Sequence, residues 1–112
     1  MQILEEAIKK SDLENSENLL NGSMLKAVVD VKRGLLAIDA EMHADLEQLF
    51  LENGSHQDDL WGINLWLDED GDDFIEFDSM INIRPRQGNR SRDVENPETR
   101  EKIRQVVAKW IK

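Results

Sequence analysis

Apolar and polar positions repeat along this chain of 112 residues with two different periods, and each change of period marks an element. From 24 to 31, Leu25, Ala27, Val29 and Val31 alternate with Lys26, Val28 and Asp30. From 35 to 40, Leu36, Ile38 and Ala40 alternate with Ala37 and Asp39. The intervening Lys32-Arg33-Gly34 predicts a β-hairpin turning at Arg33-Gly34, with the first set of each strand facing a core and the second facing away. Between 40 and 52 the period lengthens to that of a helix. Met42, Leu46, Leu49 and Phe50 form its stripe, Asp39 is the expected N-cap, and Gly54 stands where the helix should stop.

Residues 60 to 67 and 74 to 84 predict two further strands, joined by "DEDGDD", whose Asp-Gly pair favours a tight turn. In the second strand Ile75, Phe77, Ile81 and Ile83 alternate with Glu76, Asp78, Asn82 and Arg84, giving a core face and a polar face. A final helix opens at Asn96-Pro97 and carries Ile103, Val106, Val107, Trp110 and Ile111 on one side. At the other end Ile3, Leu4, Ala7 and Ile8 share a helical face. "SDLE" at 11 to 14 has the form of a capping box opening a second short helix with Leu13, Leu19 and Leu20, which Asn21-Gly22 would stop.

The order α-ββ-α-ββ-α predicts an α+β fold: a single antiparallel sheet of about four strands, in two hairpins, with helices packed on one face. All 112 residues are expected in one domain, a helical segment at 1–23 followed by a ββαββα core at 24–112. The chain has no cysteine, which removes disulfides, thiolate catalysis and zinc-thiolate sites. "MQILEEAIKK" lacks the basic start and apolar centre of a signal peptide, and no run reaches membrane-span length. A soluble cytoplasmic protein without membrane association is expected.

Charge changes this picture. Residues 1–83 carry 5 Lys and Arg against 20 Asp and Glu, a balance of −15, while residues 84–112 carry 9 against 4, a balance of +5. Four arginines, Arg84, Arg86, Arg90 and Arg92, lie within nine positions. Either this basic quarter packs on the acidic body or it serves a ligand.

The strings "KAVVDV", "HADLE", "ENGS", "DLWGIN", "FIEFDSMINIRP" and "GNRSR" resemble those of a small prokaryotic family of unknown function. The likeness runs from about Met24 onward and is least in the N-terminal segment. It implies one compact domain and no particular activity, substrate or cofactor.

The leading candidate for chemistry is the loop "RPRQGNRSRDVENP", which runs into a helix N-terminus where free N–H groups favour an anion. Arg84, Arg86, Asn89, Arg90, Ser91 and Arg92 are the candidate anion-binding residues, Gly88 allowing a sharp turn and the guanidinium forks suiting phosphate or carboxylate. The expected partner is a small anionic ligand or a protein carboxylate surface. Nucleic acid is disfavoured, because an acidic body repels a polyanion. If the same loop and the acidic sheet face met a second copy, a homodimer would form, with exposed tryptophan marking the contact.

Other constellations are weaker. Aligned with a calcium-binding EF-hand loop, residues 68–79 put Asp73 where glycine is needed and Ser79 where the bidentate Glu belongs, so no metal site is expected there. His43 and His56 form no metal-binding pair, and no cofactor fingerprint occurs. A catalytic reading would rest on His43, Asp78 and Asp39, a carboxylate or imidazole base beside the arginines, with Asp30, Glu76, Asn82 and Arg84 on the same polar face.

Overall fold

Alternation over residues 24–40 folds as the expected hairpin. Strand β2 (Met24–Asp30) pairs antiparallel with β3 (Leu35–Ile38), Val28 opposite Ala37 and Asp30 opposite Leu35. Asp30 Oδ1 accepts the N–H groups of Lys32 and Arg33 at 3.0 and 2.9 Å, and Gly34 supplies the positive φ of 68° that the turn needs. On its other edge β2 pairs antiparallel along its whole length with β4 (Leu60–Trp66), Val28 opposite Gly62. Short strands close both ends: β1 (Gln2–Ile3) on β3, and β5 (Ile75–Glu76) on β4. The computed structural model, which describes residues 1–112, is thus an α+β fold with one antiparallel sheet in the order β1-β3-β2-β4-β5. Two helices, α1 (His43–Glu52) and α2 (Pro97–Trp110), complete it.

The helices do not share a face. Helix α2 packs Ile103, Val106, Val107 and Trp110 on the side of Leu25, Ala27, Val29, Leu36, Ile38, Trp61, Ile63 and Leu65. Its Trp110 Nε1 also donates to Gly34 O at 2.7 Å, tying the helix end to the β2–β3 turn. Helix α1 lies on the opposite face, where Leu46 and Phe50 meet Val28, Ala37 and Leu60. Val28 and Ala37, expected to point outward, are therefore fully buried. A strand buried on both sides is apolar at both parities, and "AVV" in β2 carries that signature. Burial of Leu46 and Phe50 stabilises this second core by roughly 1.5–3 kcal/mol each.

Three other expectations change. The N-terminal segment is not helical: Ile3 pairs with Ala37, Leu4 N–H donates to Leu36 O at 2.9 Å, and Ile8 lies parallel to Ile111. Its apolar residues alternate between the two cores, Leu4 joining the α2 side and Ile3 the α1 side. "SDLE" makes only a 3-10 turn, Lys10–Leu13, in which Asp12 accepts the Lys9 N–H at 3.0 Å. Helix α1 begins later than expected, with Met42 and not Asp39 at the N-cap. Its buried residues are His43, Leu46 and Phe50, while Met42 is 55% exposed. The strand expected at 74–84 ends at Glu76 and gives way to 3-10 turns at Met80–Asn82 and Pro85–Gln87. Its expected faces are inverted at the far end: Asn82 and Arg84 are buried and Ile83 is exposed.

Candidate functional site

The arginines of the loop do not converge. Arg84 lies inside the protein: Nε donates to Ile81 O at 3.1 Å, Nη1 to Gln87 Oε1 at 3.2 Å, and Nη2 to Leu60 O. Its guanidinium stacks 4.4 Å from the centre of the Trp61 ring. Burial pushes its pKa down, opposed by Glu47, Asp58 and Asp59, and a guanidinium stays charged throughout. Arg92 is paired with Asp78, Nε to Oδ1 at 2.6 Å. Arg86 and Arg90 are exposed and make no ion pair.

The backbone of the loop does form an anion cradle, and the chain fills it. Glu95 Oε2 accepts the N–H groups of Arg90 and Ser91 at 2.8 and 2.9 Å and the Ser91 hydroxyl at 2.8 Å. Those three donors, the Ser91 hydroxyl foremost, hold the Glu95 carboxyl below its ordinary range. Asn89, buried, braces the turn from within, its Nδ2 donating to Asn82 O and Asp93 O at 2.7 Å and its Oδ1 accepting Glu95 N–H at 2.8 Å. The N-terminus of α2 is likewise taken, because Asn96 Oδ1 accepts from Glu98 and Thr99 N–H at 2.8 and 3.4 Å.

The three residues named for catalysis separate. Asp39 has a φ of 70° and accepts hydrogen bonds from Ser16 Oγ and, at 3.0 Å, from Asn18 Nδ2, so it clasps the N-terminal segment. These bonds lower its pKa. His43 and Asp78, by contrast, line one cleft of about 460 Å³ on the α1 face of the sheet. Its walls are the start of α1, Lys26 of β2, Asn64 and Trp66 of β4, Glu76 of β5 and the segment 78–81, with Arg92 at one side.

Chemistry in this cleft follows from what is left unpaired. His43 Nε2 lies 2.7 Å from Ile63 O; a carbonyl only accepts, so Nε2 carries the proton and Nδ1 is a lone pair. No protein group bonds Nδ1. Burial pushes the His43 pKa down, helped by Lys26 and Arg92 and opposed by the Ile63 carbonyl and Asp78, which favours the neutral ring. Asn64 is buried, its Nδ2 donating to Glu76 Oε1 at 2.8 Å and to Asp78 O at 3.3 Å, while Oδ1 has no donor at all. Lys26, directly opposite Asn64 in the β2–β4 register, makes no ion pair. The N-terminus of α1 opens here without a capping side chain, since Met42 offers none. Exposed Met42 and Met80 form an apolar lip.

Lys26, Asn64 and the two methionines were not singled out from the sequence. Asn64 carried a usable signal, a lone amide inside the apolar run "LWGINLWL". The cleft as a whole had none, because its walls come from five separate stretches of chain. No three His, Asp or Glu side chains gather to hold a metal ion, and no helix is long and apolar enough to cross a membrane. None of the three tryptophans is exposed.

The chain belongs to DUF5674, a family of proteins of unknown function, whose model matches residues 2–110 and so takes in the N-terminal segment as well. No curated protein and no solved structure matches it.

Proposed function

We propose that this protein is a small binding module whose ligand bears an anionic group, carboxylate or phosphate, and seats in the cleft at the start of α1. The supporting observation is the uncapped N-terminus of α1 in a cleft that Lys26 and Arg92 also line. Free helix N–H groups and the unpaired Lys26 ammonium favour an anionic group at that end of the cleft. Of the loop residues considered for an anion, Arg92 alone has a place in this site. Arg84, Asn89 and Ser91 are engaged within the fold, and Arg86 and Arg90 stand apart. A cytoplasmic setting belongs to the same proposal, supported by the acidic, cysteine-free composition.

Titration of the 15N-labelled protein with inorganic phosphate and with 4-methylpentanoate tests this. Saturable shifts of the His43 and Ala44 amides, reduced in Lys26→Ala, are expected with at least one of the two. Shifts confined to Arg86 and Arg90, or none at millimolar concentration, would overturn it.

Self-association is a second reading, favoured by Met42 and Met80, 55% and 65% exposed at the cleft mouth. Sedimentation at low and high salt separates the two: a dimer lost in Met80→Glu supports the interface, and a monomer at all concentrations removes it.

A further inference from the structure

The cleft holds more than an anion site. Beside the helix N-terminus lie two acceptors that no protein donor meets: Nδ1 of His43, left without a proton by the bond from Nε2 to Ile63 O, and Oδ1 of Asn64. Asn64 is only 4% exposed and lines the cleft, and its Oδ1 is an unmet acceptor shut within the cleft wall. Two carboxylates, Glu76 and Asp78, share the walls with the cations Lys26 and Arg92. Side-chain charge in the cleft therefore cancels, and a simple anion is not the group it matches best. What complements it is a molecule carrying a donor as well as a negative group.

The spacing limits that molecule further. His43 is the first residue of α1, so its own free N–H and its ring Nδ1 belong to one residue and lie only a few ångströms apart. The donor and the anionic group of the ligand must be equally close, as an ammonium and a carboxylate are on a single α-carbon. The apolar lip of Met42 and Met80, backed by Met24 and Trp66, then receives the side chain.

Building on the anion-site reading, we infer that the ligand is a zwitterion of this kind, an apolar α-amino acid. Its carboxylate sits at the start of α1, in the cleft that Lys26 and Arg92 also line. Its ammonium donates to His43 Nδ1, with Glu76 next to it. Its side chain lies among the methionines.

Calorimetric titration of the full natural chain tests the inference first with ligands alone. Leucine, methionine and phenylalanine are compared with 4-methylpentanoate, which is leucine without its amine, and with leucinamide, which lacks the carboxylate. A charge-assisted hydrogen bond from the ammonium is worth more than about tenfold in affinity. At least one of the three amino acids should therefore bind more than about tenfold tighter than 4-methylpentanoate, and leucinamide should bind weakly. If 4-methylpentanoate binds as tightly as leucine, the amino-acid inference falls and the anion site stands. If leucinamide matches leucine, or if nothing in the panel binds and phosphate also fails, both fall. Lys26→Ala, an edit on the cleft wall, should weaken the amino acid and 4-methylpentanoate by the same factor, since both present the same carboxylate; an unchanged amino-acid affinity would contradict the placement.

Discussion

The side chain of Asn82 pairs with the backbone of Gly62 as a strand would, Oδ1 accepting the Gly62 N–H at 2.8 Å and Nδ2 donating to the Gly62 carbonyl at 2.9 Å. One amide thus replaces two ladder bonds where β5 has already ended. A third bond, from Nδ2 to Arg92 O at 3.0 Å, joins the basic loop to the same point. Close packing demands that residue 62 be glycine: a Cβ there would lie 2.6 Å from Cβ and Oγ of Ser79. Asn82→Ala strands the buried N–H and C=O of Gly62 together, at about 1–3 kcal/mol for each group. Urea unfolding should give a loss of about 2–6 kcal/mol with an unchanged slope. A loss under about 1 kcal/mol would mean that water takes over these bonds.

Arg84 is held by three acceptors and the face of Trp61, a geometry that only a planar guanidinium can satisfy. Arg84→Lys keeps the charge but leaves at least one buried carbonyl unmet, so we expect about 1–3 kcal/mol of destabilisation. Anion affinity of the cleft should not change. A stable Arg84→Lys that had lost ligand binding would instead make Arg84 a binding residue.

Glu95 acts as the built-in anion of the basic loop, so removing it should empty the cradle. In Glu95→Ala the Arg90 and Ser91 amides should exchange faster with deuterium and shift on addition of phosphate, whereas in the natural protein they should not respond. The folded-state pKa of Glu95 lies below its ordinary 4.5, so the stability it confers is complete above that value and lost as pH falls through the folded value. Asp39, lowered from 3.8, works in the same direction. The deuterium-exchange rates of both segments should rise in this acidic window, and an exchange rate independent of pH there, after correction for intrinsic chemistry, would contradict it.

His43 operates in a separate window. Its pKa is pushed below 6.5, so the folded state resists a proton that the unfolded chain accepts. Its contribution to stability is full above pH 6.5 and is lost as pH falls from there through the folded value. Thermal unfolding should show this slope in the natural protein and a flatter one in His43→Gln over the same range. Parallel slopes would mean that the ring is not shielded as its bond to Ile63 O implies.

Legibility followed the range of the signal. Strands β2 and β3, the turn at Gly34 and the Asn96-Pro97 start of α2 were all readable because each rests on neighbours within a few residues. The extent of α1 was readable to within three residues, but its buried face was misjudged, because His43 looks polar until Ile63 O is known to hold it. Residues 74–84 read as a strand from their alternation alone. They leave the sheet because Asn82 and Arg84 find buried carbonyls in β4, which no local pattern announces.

Period and turn chemistry were enough to establish an α+β chain with a central β2–β3 hairpin, two helices and an acidic body joined to a basic quarter. They act between near neighbours and leave a record in composition. Placing the helices on opposite faces, adding the first residues to the sheet edge, and giving the Arg90 and Ser91 amides to Glu95 instead of a ligand required the folded chain. Each of those outcomes depends on which group the folded backbone brings against a polar atom or an apolar surface. In the cleft at His43 that arrangement left ring and amide acceptors unmet beside a free helix N-terminus, and there a ligand has something to add.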